Sequence, residues 1–466
     1  MPPLPSKVAA AARELGQCDL ADLQTLVNPH ILDVLPSAPG QRHRLLWPAR
    51  TFILFLGQIL DGNVSCSQTV SKLLAWLRME CVADEISSNT SAYCKARQRL
   101  PMPVIQQAHK HIIKDLQDQE TDAMLWNARR VRVLDGSSVT LADTPSNQKK
   151  YPQPSEQKPG CGFPTVRLVA LFSLVTGAWQ HLAFGSLHVS ETTLFRELWP
   201  QLDPGDVILA DRMFCSFGTY WMLAQQGVDC VMRLIVHRST GQRRVRRLGK
   251  GDCLMAWKRT SHAPRWIEPA VWRAMPKELV VRQININVDV PGFRTKTIFV
   301  VTTLLDPKMF PARSFADLYR RRWQIELYFR DLKTSLHMEN LKCQSPQMIS
   351  KELWIYVIAH NLIRLIIAQA AAAKGMEPRR ISFKRTADAL KEWLPLIYAH
   401  AGDIEWRQRM KLLLLRHIAT LVVPCRPNRS EPRAKKRRPK PYALLTCHRS
   451  IYQETAHRNR YKPAKA

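Results

Sequence analysis

Residues 319–333 read YRRRWQIELYFRDLK. Tyr319, Arg322, Glu326 and Lys333 stand at offsets of zero, three, seven and fourteen in this stretch. On an α-helix, at about 100° per residue, these offsets project at roughly 0°, −60°, −20° and −40°. The four polar side chains therefore share one narrow stripe of a predicted helix. An acid between Tyr, Arg and Lys on one stripe indicates a carboxylate that holds a metal beside residues that hold phosphate.

A solvated helix face is the alternative interpretation of the same stretch. Glu326 would then pair with Arg322 or Arg330, which stand four residues before and after it. Runs of charge on a helix are usually surface. Residues elsewhere in the chain have to decide between the two interpretations.

The charge balance favours a polyanionic partner. Lys and Arg number 69 against 38 Asp and Glu, which gives a net charge of +31 spread over the whole chain. Such a charge is typical of proteins that bind nucleic acid. A hydrophobic content of 45% supports real cores, and 466 residues predict roughly two to four domains. The chain is therefore not a disordered basic protein.

Cysteine spacing and hydropathy indicate the cellular compartment in which the protein works. No two of the 11 cysteines are closer than thirteen positions, so zinc-knuckle and CxxC spacings are absent from the sequence. The N-terminal residues are too polar for a secretory signal, which predicts reduced thiols in the cytoplasm. The apolar run from Trp354 is interrupted by His360, Asn361 and Arg364. It predicts a buried helix and no membrane span.

The periodicity of apolar residues divides the chain into five segments. They are a helical region at 1–125, an α/β core at 126–236, a β-rich insertion at 237–296, the second part of the core at 297–400, and a helix with a basic tail at 401–466. The helical region contains SAYCKARQRLP from Ser91, whose basic residues suit either DNA recognition or dimerisation and packing. Short strands that alternate with helices in the core predict a mixed sheet with flanking helices.

Two aspartates end predicted strands of the core. Asp135 closes VRVLD and Asp211 closes DVILAD, and strand ends are where sites gather in α/β sheets. Each has a structural alternative, because Asp135–Gly136 is also a hairpin turn signal and Asp211 could cap the following helix. Together with Glu326, the aspartates could hold Mg²⁺ while Arg and Lys hold DNA. This combination predicts metal-assisted phosphoryl transfer on a polynucleotide.

Three blocks of the sequence resemble a known family in order. VRVLDGSSVTLADT, DVILADRMFCSFG and YRRRWQIELYFRDLK are similar to the catalytic blocks of bacterial DDE transposases of the insertion-sequence-four family. That family's signature is Tyr, two residues, Arg, three residues, Glu, six residues, Lys, and residues 319–333 match it in full. The resemblance covers nearly the whole chain, from about residue 40 to 450.

The resemblance implies a fold and a set of site residues. The fold would be an RNase H-like core with the β-rich insertion between the second aspartate and the glutamate. Asp135, Asp211 and Glu326 would form the catalytic triad and hold two Mg²⁺ ions, which Mn²⁺ can replace. The residues expected to contact DNA phosphates are Tyr319, Arg322, Lys333 and Arg212. In relatives the insertion can supply an aromatic side chain for a flipped base, and the candidates here are Trp257, Trp266 and Trp272.

The implied activity is cut-and-paste transposition. Hydrolysis at the ends of the element would leave 3′-hydroxyl groups that attack target DNA. The partners would be double-stranded DNA, as terminal inverted repeats and target, and a second copy of the chain in a synaptic homodimer, in the bacterial cytoplasm at the nucleoid. Two alternatives stay open: a transposase-derived DNA-binding protein without catalysis, and an RNase H-like nuclease or resolvase that cuts and never joins.

Overall fold

The computed structural model describes most of the chain. The described residues are 45–79, 87–234, 242–287, 297–398, 403–424, 445–448, 451–455 and 460–463. The part of the predicted helical region before residue 45 and the basic run at 435–438 in the predicted tail lie outside the described residues. The interpretations of those two segments stay predictions.

Helices surround one large sheet. The helices are α1 (Pro48–Leu60), α2 (Cys66–Met79), α3 (Ser91–Arg99), α4 (Met102–Asp118), α5 (Pro145–Lys150), α6 (Glu191–Leu198), α7 (Phe217–Gln225), α8 (Pro269–Ala274), α9 (Ala312–Arg321), α10 (Gln324–Arg330), α11 (Pro346–Ala373), α12 (Phe383–Tyr398) and α13 (Ile404–Ile418). The strands are β1 (Val131–Leu141), β2 (Thr165–Ser173), β3 (Trp179–Ser186), β4 (Val207–Ala210), β5 (Asp229–Arg233), β6 (Gln242–Gly249), β7 (Asp252–Lys258), β8 (Glu278–Asn287), β9 (Thr297–Thr302), β10 (Asn340–Leu341), β11 (Tyr452–Thr455) and β12 (Arg460–Pro463).

The large sheet has the strand order β3-β2-β1-β4-β5-β9-β8-β7-β6, and β10 pairs with the end of β1. β1, β4 and β5 run parallel, whereas β2 is antiparallel to both of its neighbours. This arrangement of the first five strands is that of an RNase H-like core, as the sequence predicts. Parallel central strands place their carboxyl ends along one edge of the sheet.

Two hydrophobic cores lie on the two faces of the sheet. Alternation along β1 and β4 sends Val133 and Leu209 to one face and Leu134 and Ile208 to the other. The first face packs against α11 and the N-terminal helices. The second packs against α6 and α7. The helical N-terminal region therefore contributes to the main core.

The predicted β-rich insertion extends this sheet. β8 pairs with β9, and β7 and β6 add outward from β8, all antiparallel. Inside it, Arg282 donates from Nε and Nη2 to the two carboxylate oxygens of Asp252 at 2.8 and 2.6 Å. Nη1 of Arg282 also donates to the backbone oxygen of Phe310 at 2.7 Å, just before α9. This buried ion pair links the insertion to the chain segment that leads into the Glu326 helix.

α11 is the central helix of the fold. Among the described residues it is the helix long and apolar enough to cross a membrane, and 89% of its most apolar window is buried inside the protein. Its Asn361 side chain accepts from the backbone N–H of Trp179 at 2.8 Å and donates to the backbone oxygen of Trp179 at 2.9 Å. The polar residues that interrupt the apolar run thus serve internal contacts, in agreement with the predicted buried helix.

Candidate active site

Asp135 lies in the middle of β1. The strand continues to Leu141, and Asp135 and Gly136 pair with Ala170 and Val169 of β2. The predictions that Asp135 ends a strand and that Asp135–Gly136 forms a hairpin are therefore wrong. Apolar residues at alternate positions after Gly136 keep the chain extended, because one face of the strand stays in the core.

The parallel register of β1 and β4 brings the two aspartates side by side. Val131 stands opposite Val207 and Val133 opposite Leu209, a constant offset of 76 residues (207 − 131 and 209 − 133). The same offset separates Asp135 from Asp211 (211 − 135 = 76). Asp211 directly follows β4 at the carboxyl edge of the sheet. If the register continues, Asp135 and Asp211 therefore occupy equivalent positions on two adjacent parallel strands.

The side chain of Asp211 is not used as a helix cap. Asp211 occupies the N-cap position of a short 3-10 turn, Arg212–Phe214, yet its side chain makes no capping hydrogen bond. The prediction that Asp211 caps the following helix is thus right about its N-cap position, but wrong about a capping hydrogen bond. Its carboxylate remains available at the strand end.

The sequence predicts one continuous α-helix over residues 319–333. In the structure this stretch is helical but interrupted. α9 ends at Arg321, and the turn before α10 tightens, with Ile325 N–H donating to the oxygen of Arg322 at 3.1 Å and Glu326 N–H to that of Trp323 at 3.2 Å. After α10 the chain widens into a π-helical turn, Asp331–Ser335. Tight and wide turns rotate side chains by different amounts per residue, so the predicted stripe is distorted.

Comparison with known proteins identifies the chain. The family model described as the transposase DDE domain matches residues 126–362. The chain belongs to the DDE transposases. It is 27% identical over 362 residues to the transposase InsG of insertion sequence element IS4 from Escherichia coli K12, which covers 76% of this chain and 77% of the relative. This similarity, together with the family model, places it in the insertion-sequence-four family.

Two further similarities are more limited. The putative transposase InsL of element IS186A from Escherichia coli K12 is 37% identical over 68 residues, 15% of this chain and 18% of the relative. The cryo-EM structure of the piggyBac transposase synaptic complex with hairpin DNA aligns over 89% of this chain and 87% of that chain. Its TM-score is 0.40 at 10% sequence identity. As a member of the DDE transposases, the protein is a DNA-acting enzyme of the polynucleotidyl transferase class.

Glu326 lies near enough to the two aspartates for their charges to affect its pKa. Burial raises the pKa of Glu326, Arg322 lowers it, and the charges of Asp135 and Asp211 raise it. Burial likewise raises the pKa of Asp135, against the lowering effects of the Gly136 N–H, which donates to Oδ1 at 2.8 Å, and of Arg322, while Asp211 raises it. Carboxylates that disfavour each other's ionisation stand close together. The three predicted catalytic residues therefore converge.

Arg322 is the cation of this cluster. Its side chain is only 14% exposed, with Nη2 4.0 Å from Oε1 of Glu326, and its guanidinium lies 5.7 Å from the ring centre of Tyr319. The predicted pairing of Glu326 with Arg322 thus exists together with the carboxylate cluster. The two interpretations of the helix do not exclude each other.

Tyr319 is a buried member of the cluster. Burial raises the pKa of its phenol to about 12, Arg322 and Arg233 lower it, and Asp211 raises it. The hydroxyl consequently stays protonated at neutral pH. Arg233 ends β5, the next parallel strand along the same edge, and sequence analysis missed it because a single Arg after a strand carries no distinctive pattern.

Lys333 and Arg212 take different places. Lys333 lies in the π-helical turn, where burial lowers its pKa and Glu339 raises it. Its charge partner is therefore outside the carboxylate cluster. Arg212 is exposed and follows Asp211 directly. Tyr319 and Arg322 are thus coupled to the carboxylates, whereas the charge that acts on Lys333 is that of Glu339.

The donor set fits divalent metal ions, which DDE transposases generally use. Carboxylate oxygens are the hard ligands preferred by Mg²⁺ and Mn²⁺. Within the described part of the chain, no three acidic, His or Cys side chains already stand close enough to hold one ion. The sheet fixes Asp135 and Asp211, whereas the Glu326 side chain is 45% exposed. Asp135 and Asp211 are partly buried, so Glu326 is the most exposed of the three ligand candidates.

The tryptophans of the insertion serve packing. Trp257 and Trp272 are buried in the second core, and Trp266 is partly buried with the guanidinium of Arg196 4.4 Å from its ring centre. The burial of Trp257 and Trp272 argues against either of them as the aromatic side chain for a flipped base. In the Glu326 helix itself, Trp323 is 51% exposed.

A fourth carboxylate is coupled electrostatically to the first aspartate. Glu191 begins α6, and the charge of Asp135 raises the pKa of Glu191, after the larger effect of burial and against the lowering effect of Arg167. Sequence analysis missed it. Glu after Ser190 at a helix start reads as ordinary capping chemistry, and Ser190 does accept from the N–H of Thr193 at 3.1 Å.

Proposed function

We propose that the transposase moves its element by cut-and-paste chemistry, with Asp135, Asp211 and Glu326 as the catalytic carboxylates. The observation that supports the proposal most strongly is the β1–β4 register, because the offset of 76 residues between paired positions also separates Asp135 from Asp211. The coupling of Glu326 to both aspartates supports it. Catalytic residues on separate elements that meet at the carboxyl edge of a sheet are the usual arrangement of such sites.

The three carboxylates would hold two Mg²⁺ ions, or Mn²⁺ in their place. Ions bound there supply the positive charge that activates a water molecule and offsets charge on the scissile phosphate. Asp135 and Asp211 provide ligands of fixed position, because each backbone is held in or next to a central strand. Glu326 would complete the set from α10, which packs against β1.

Arg322 and Tyr319 would hold the scissile phosphate. A guanidinium that is mostly buried offers paired donors in a fixed orientation, which suits a phosphate group. Tyr319, with a pKa of about 12, keeps its proton and can donate to a phosphate oxygen. Because both side chains are mostly buried and held in place, they lower the entropy cost of aligning DNA for the reaction.

Arg212 and Lys333 would contact phosphates around the cleavage point. Arg212 is exposed beside Asp211, and Lys333 lies one helical segment beyond Glu326. Contacts of this kind position DNA without reading its sequence. They also make binding depend on salt.

Two phosphoryl transfers act on the strand that is joined to target DNA, and excision also requires a cut in the opposite strand at each end of the element. In the first, water attacks the phosphodiester at the element end, and the departing oxygen becomes a 3′-hydroxyl. In the second, that hydroxyl attacks a target phosphodiester, and the target strand's 3′ oxygen leaves. Alignment and charge neutralisation provide the catalysis, so no covalent protein–DNA intermediate is required.

The proposed substrates are the terminal inverted repeats of the element and target DNA in the bacterial nucleoid. Two ends have to be joined, so the proposed assembly is a homodimer that holds both. Light scattering of the protein with and without end duplex tests this point. A mass of one chain per duplex at all concentrations would contradict the homodimer.

A cleavage assay tests the chemistry. The protein is incubated with a duplex that carries the repeats flanking its own gene, with Mg²⁺ or Mn²⁺. Glu326→Gln is the test variant, and Glu392→Gln, at an exposed position of α12, is the matched control. We expect wild type and the control to cut at the repeat boundary and to join the 3′-hydroxyl to target DNA.

The Glu326→Gln variant should bind the duplex and leave it uncut. Cleavage by this variant at the wild-type rate would remove Glu326 from the catalytic set. Cleavage by wild type without any joined product would support a nuclease and contradict the transposition chemistry.

A further inference from the structure

The backbone at Gly136 is covered by the carboxylate of Glu191. A Cβ atom at Gly136 would lie 2.2 Å from Cδ of Glu191, 2.4 Å from Oε2 and 2.6 Å from Oε1. The carboxylate therefore fills the space into which any side chain at position 136 would project. Alternation along β1 puts this space on the face opposite to the Asp135 side chain. Glu191 thus stands behind the strand that carries the first catalytic aspartate.

Glu191 is held in this position by its own surroundings. It begins α6, where Ser190 caps the helix, and the helix N-terminus favours a negative charge. Nε of Arg167 lies 3.9 Å from Oε1 of Glu191, and Nη1 of Arg167 donates to the backbone oxygen of Val189 at 2.7 Å. The Glu191 and Arg167 side chains are only 21% and 27% exposed. The carboxylate is therefore anchored between a helix start and an arginine.

The Gly136 peptide connects Glu191 to the site. Its N–H donates to Oδ1 of Asp135 at 2.8 Å, so the orientation of this peptide sets the orientation of the aspartate. Glu191 packs on the same residue from the other face of the sheet. The charge of Asp135 raises the pKa of Glu191, and the repulsion between two carboxylates is mutual. Packing and charge both run from Glu191 to the proposed metal ligand.

We propose that Glu191 is a positioning residue of the active site, which braces the Gly136 peptide and adds fixed negative charge behind Asp135. The inference rests on the proposed function of Asp135 as a metal ligand. Residues that orient metal ligands typically change metal affinity by about tenfold or more when they are altered. Glu191 therefore strengthens divalent-ion binding without touching the ion.

Mn²⁺ binding to the full-length protein tests this role without any catalytic turnover. Free Mn²⁺ is measured by electron paramagnetic resonance during titration of wild type, Glu191→Gln, Glu191→Asp and Asp135→Asn. Glu405→Gln, in the exposed first turn of α13, is the matched control. Gln keeps the shape of Glu without its charge, and Asp keeps the charge.

We expect Glu191→Gln to bind Mn²⁺ about tenfold more weakly than wild type. Glu191→Asp should retain more of the affinity, and the Glu405 control should match wild type. Thermal unfolding of each variant without metal checks that the fold is intact. Should Glu191→Gln fail to fold, Gly136→Ala serves instead, because its methyl group displaces the Glu191 carboxylate and should weaken Mn²⁺ binding as well.

The outcomes separate the two proposals. If Asp135→Asn binds Mn²⁺ weakly while Glu191→Gln binds like wild type, the role of Glu191 is overturned and the metal site stands. If Asp135→Asn itself binds Mn²⁺ like wild type, the carboxylate site and the role of Glu191 are both overturned. Equal losses for Gln and Asp at position 191 would show packing alone and overturn the charge effect.

Discussion

At the scale of single residues, the ionised carboxylate of Asp135 lowers the stability of the folded protein. Burial raises the pKa of Asp135, so the folded state favours the protonated acid and the ionised form costs folding free energy above that raised pKa. Asp135→Asn should therefore stabilise the metal-free protein at pH 7. The gain should vanish as pH falls below the ordinary pKa of Asp. The same variant should lose roughly a hundredfold or more in cleavage rate.

Thermal unfolding of the metal-free protein, measured from pH 8 downward, tests the predicted gain in stability of Asp135→Asn. Asn can still accept from the Gly136 N–H, so the hydrogen bond is kept and the charge alone is removed. Asp122→Asn, at an exposed position, is the control and should leave the unfolding temperature unchanged. An Asp135→Asn protein less stable than wild type at pH 7 would contradict the argument.

Arg322 should set the acid limit of activity. It lowers the pKa of Asp135 and of Glu326, so Arg322→Gln should raise both. Because ionised carboxylates bind metal, the acid limb of the cleavage pH profile should move to higher pH, with a rate loss of roughly a hundredfold. The matched variant Arg320→Gln, at an exposed arginine two residues earlier, should keep the wild-type profile. An unshifted acid limb in the Arg322 variant would contradict the coupling.

Residue types and spacing gave the triad candidates, but not their neighbours. Asp135, Asp211 and Glu326 stand out because the two aspartates follow apolar runs of sequence and the glutamate interrupts a basic helix. Glu191 has no such pattern, since its relation to Gly136 arises only when α6 packs behind β1. Arg233 is similar, because its relation to Tyr319 depends on the order of parallel strands. Contacts between distant segments are not encoded in local spacing.

At the scale of elements, one turn carries strain that a substitution can relieve. Asn127 and Ala128 join Trp126 to Arg129 in a two-residue turn with φ values of 46° and 58°. Such turns strongly favour Gly at the second position, because positive φ costs other residues about 1 kcal/mol or more. Ala128→Gly should therefore stabilise the protein by up to about 1 kcal/mol, after the entropy cost of Gly in the unfolded chain.

Urea unfolding checks the turn prediction. Ala92→Gly is the control, because Ala92 is exposed within helix α3 and Gly there should cost about 1 kcal/mol. Opposite signs for the two Ala→Gly changes are the expected result. Destabilisation at both positions would mean that the turn does not strain Ala128.

The Glu326 helix shows where periodicity reaches its limit. Constant rotation of about 100° per residue predicts Lys333 on the stripe of Glu326. The tightened turn before α10 and the π-helical turn after it change that rotation, and buried Asp331 pairs with Arg364 at 2.6 Å in the second of these turns. Tertiary contacts of this kind set the local winding, so the sequence predicts the helix and not its irregularities.

At the scale of the whole molecule, the insertion and the core form one sheet. Alternating residues predict the strands of the insertion, but their pairing with β9 depends on register between segments far apart in sequence. The outermost strand, β6, carries four exposed arginines, which are Arg243, Arg244, Arg246 and Arg247. Charge on an edge strand both repels other sheets and attracts polyanions.

Salt dependence of DNA binding separates these two roles of β6. Each phosphate contact adds about 0.9 to the slope of log affinity against log salt concentration, so Arg246→Gln with Arg247→Gln should lower the slope by up to about 1.8. Lys384→Gln with Arg385→Gln, two exposed cations of α12, removes the same charge elsewhere. A smaller loss of slope in this control would assign β6 to the DNA-binding surface. If both pairs lower the slope equally and the β6 variant alone self-associates, the arginines protect the sheet edge, because net charge would then account for the whole effect on DNA.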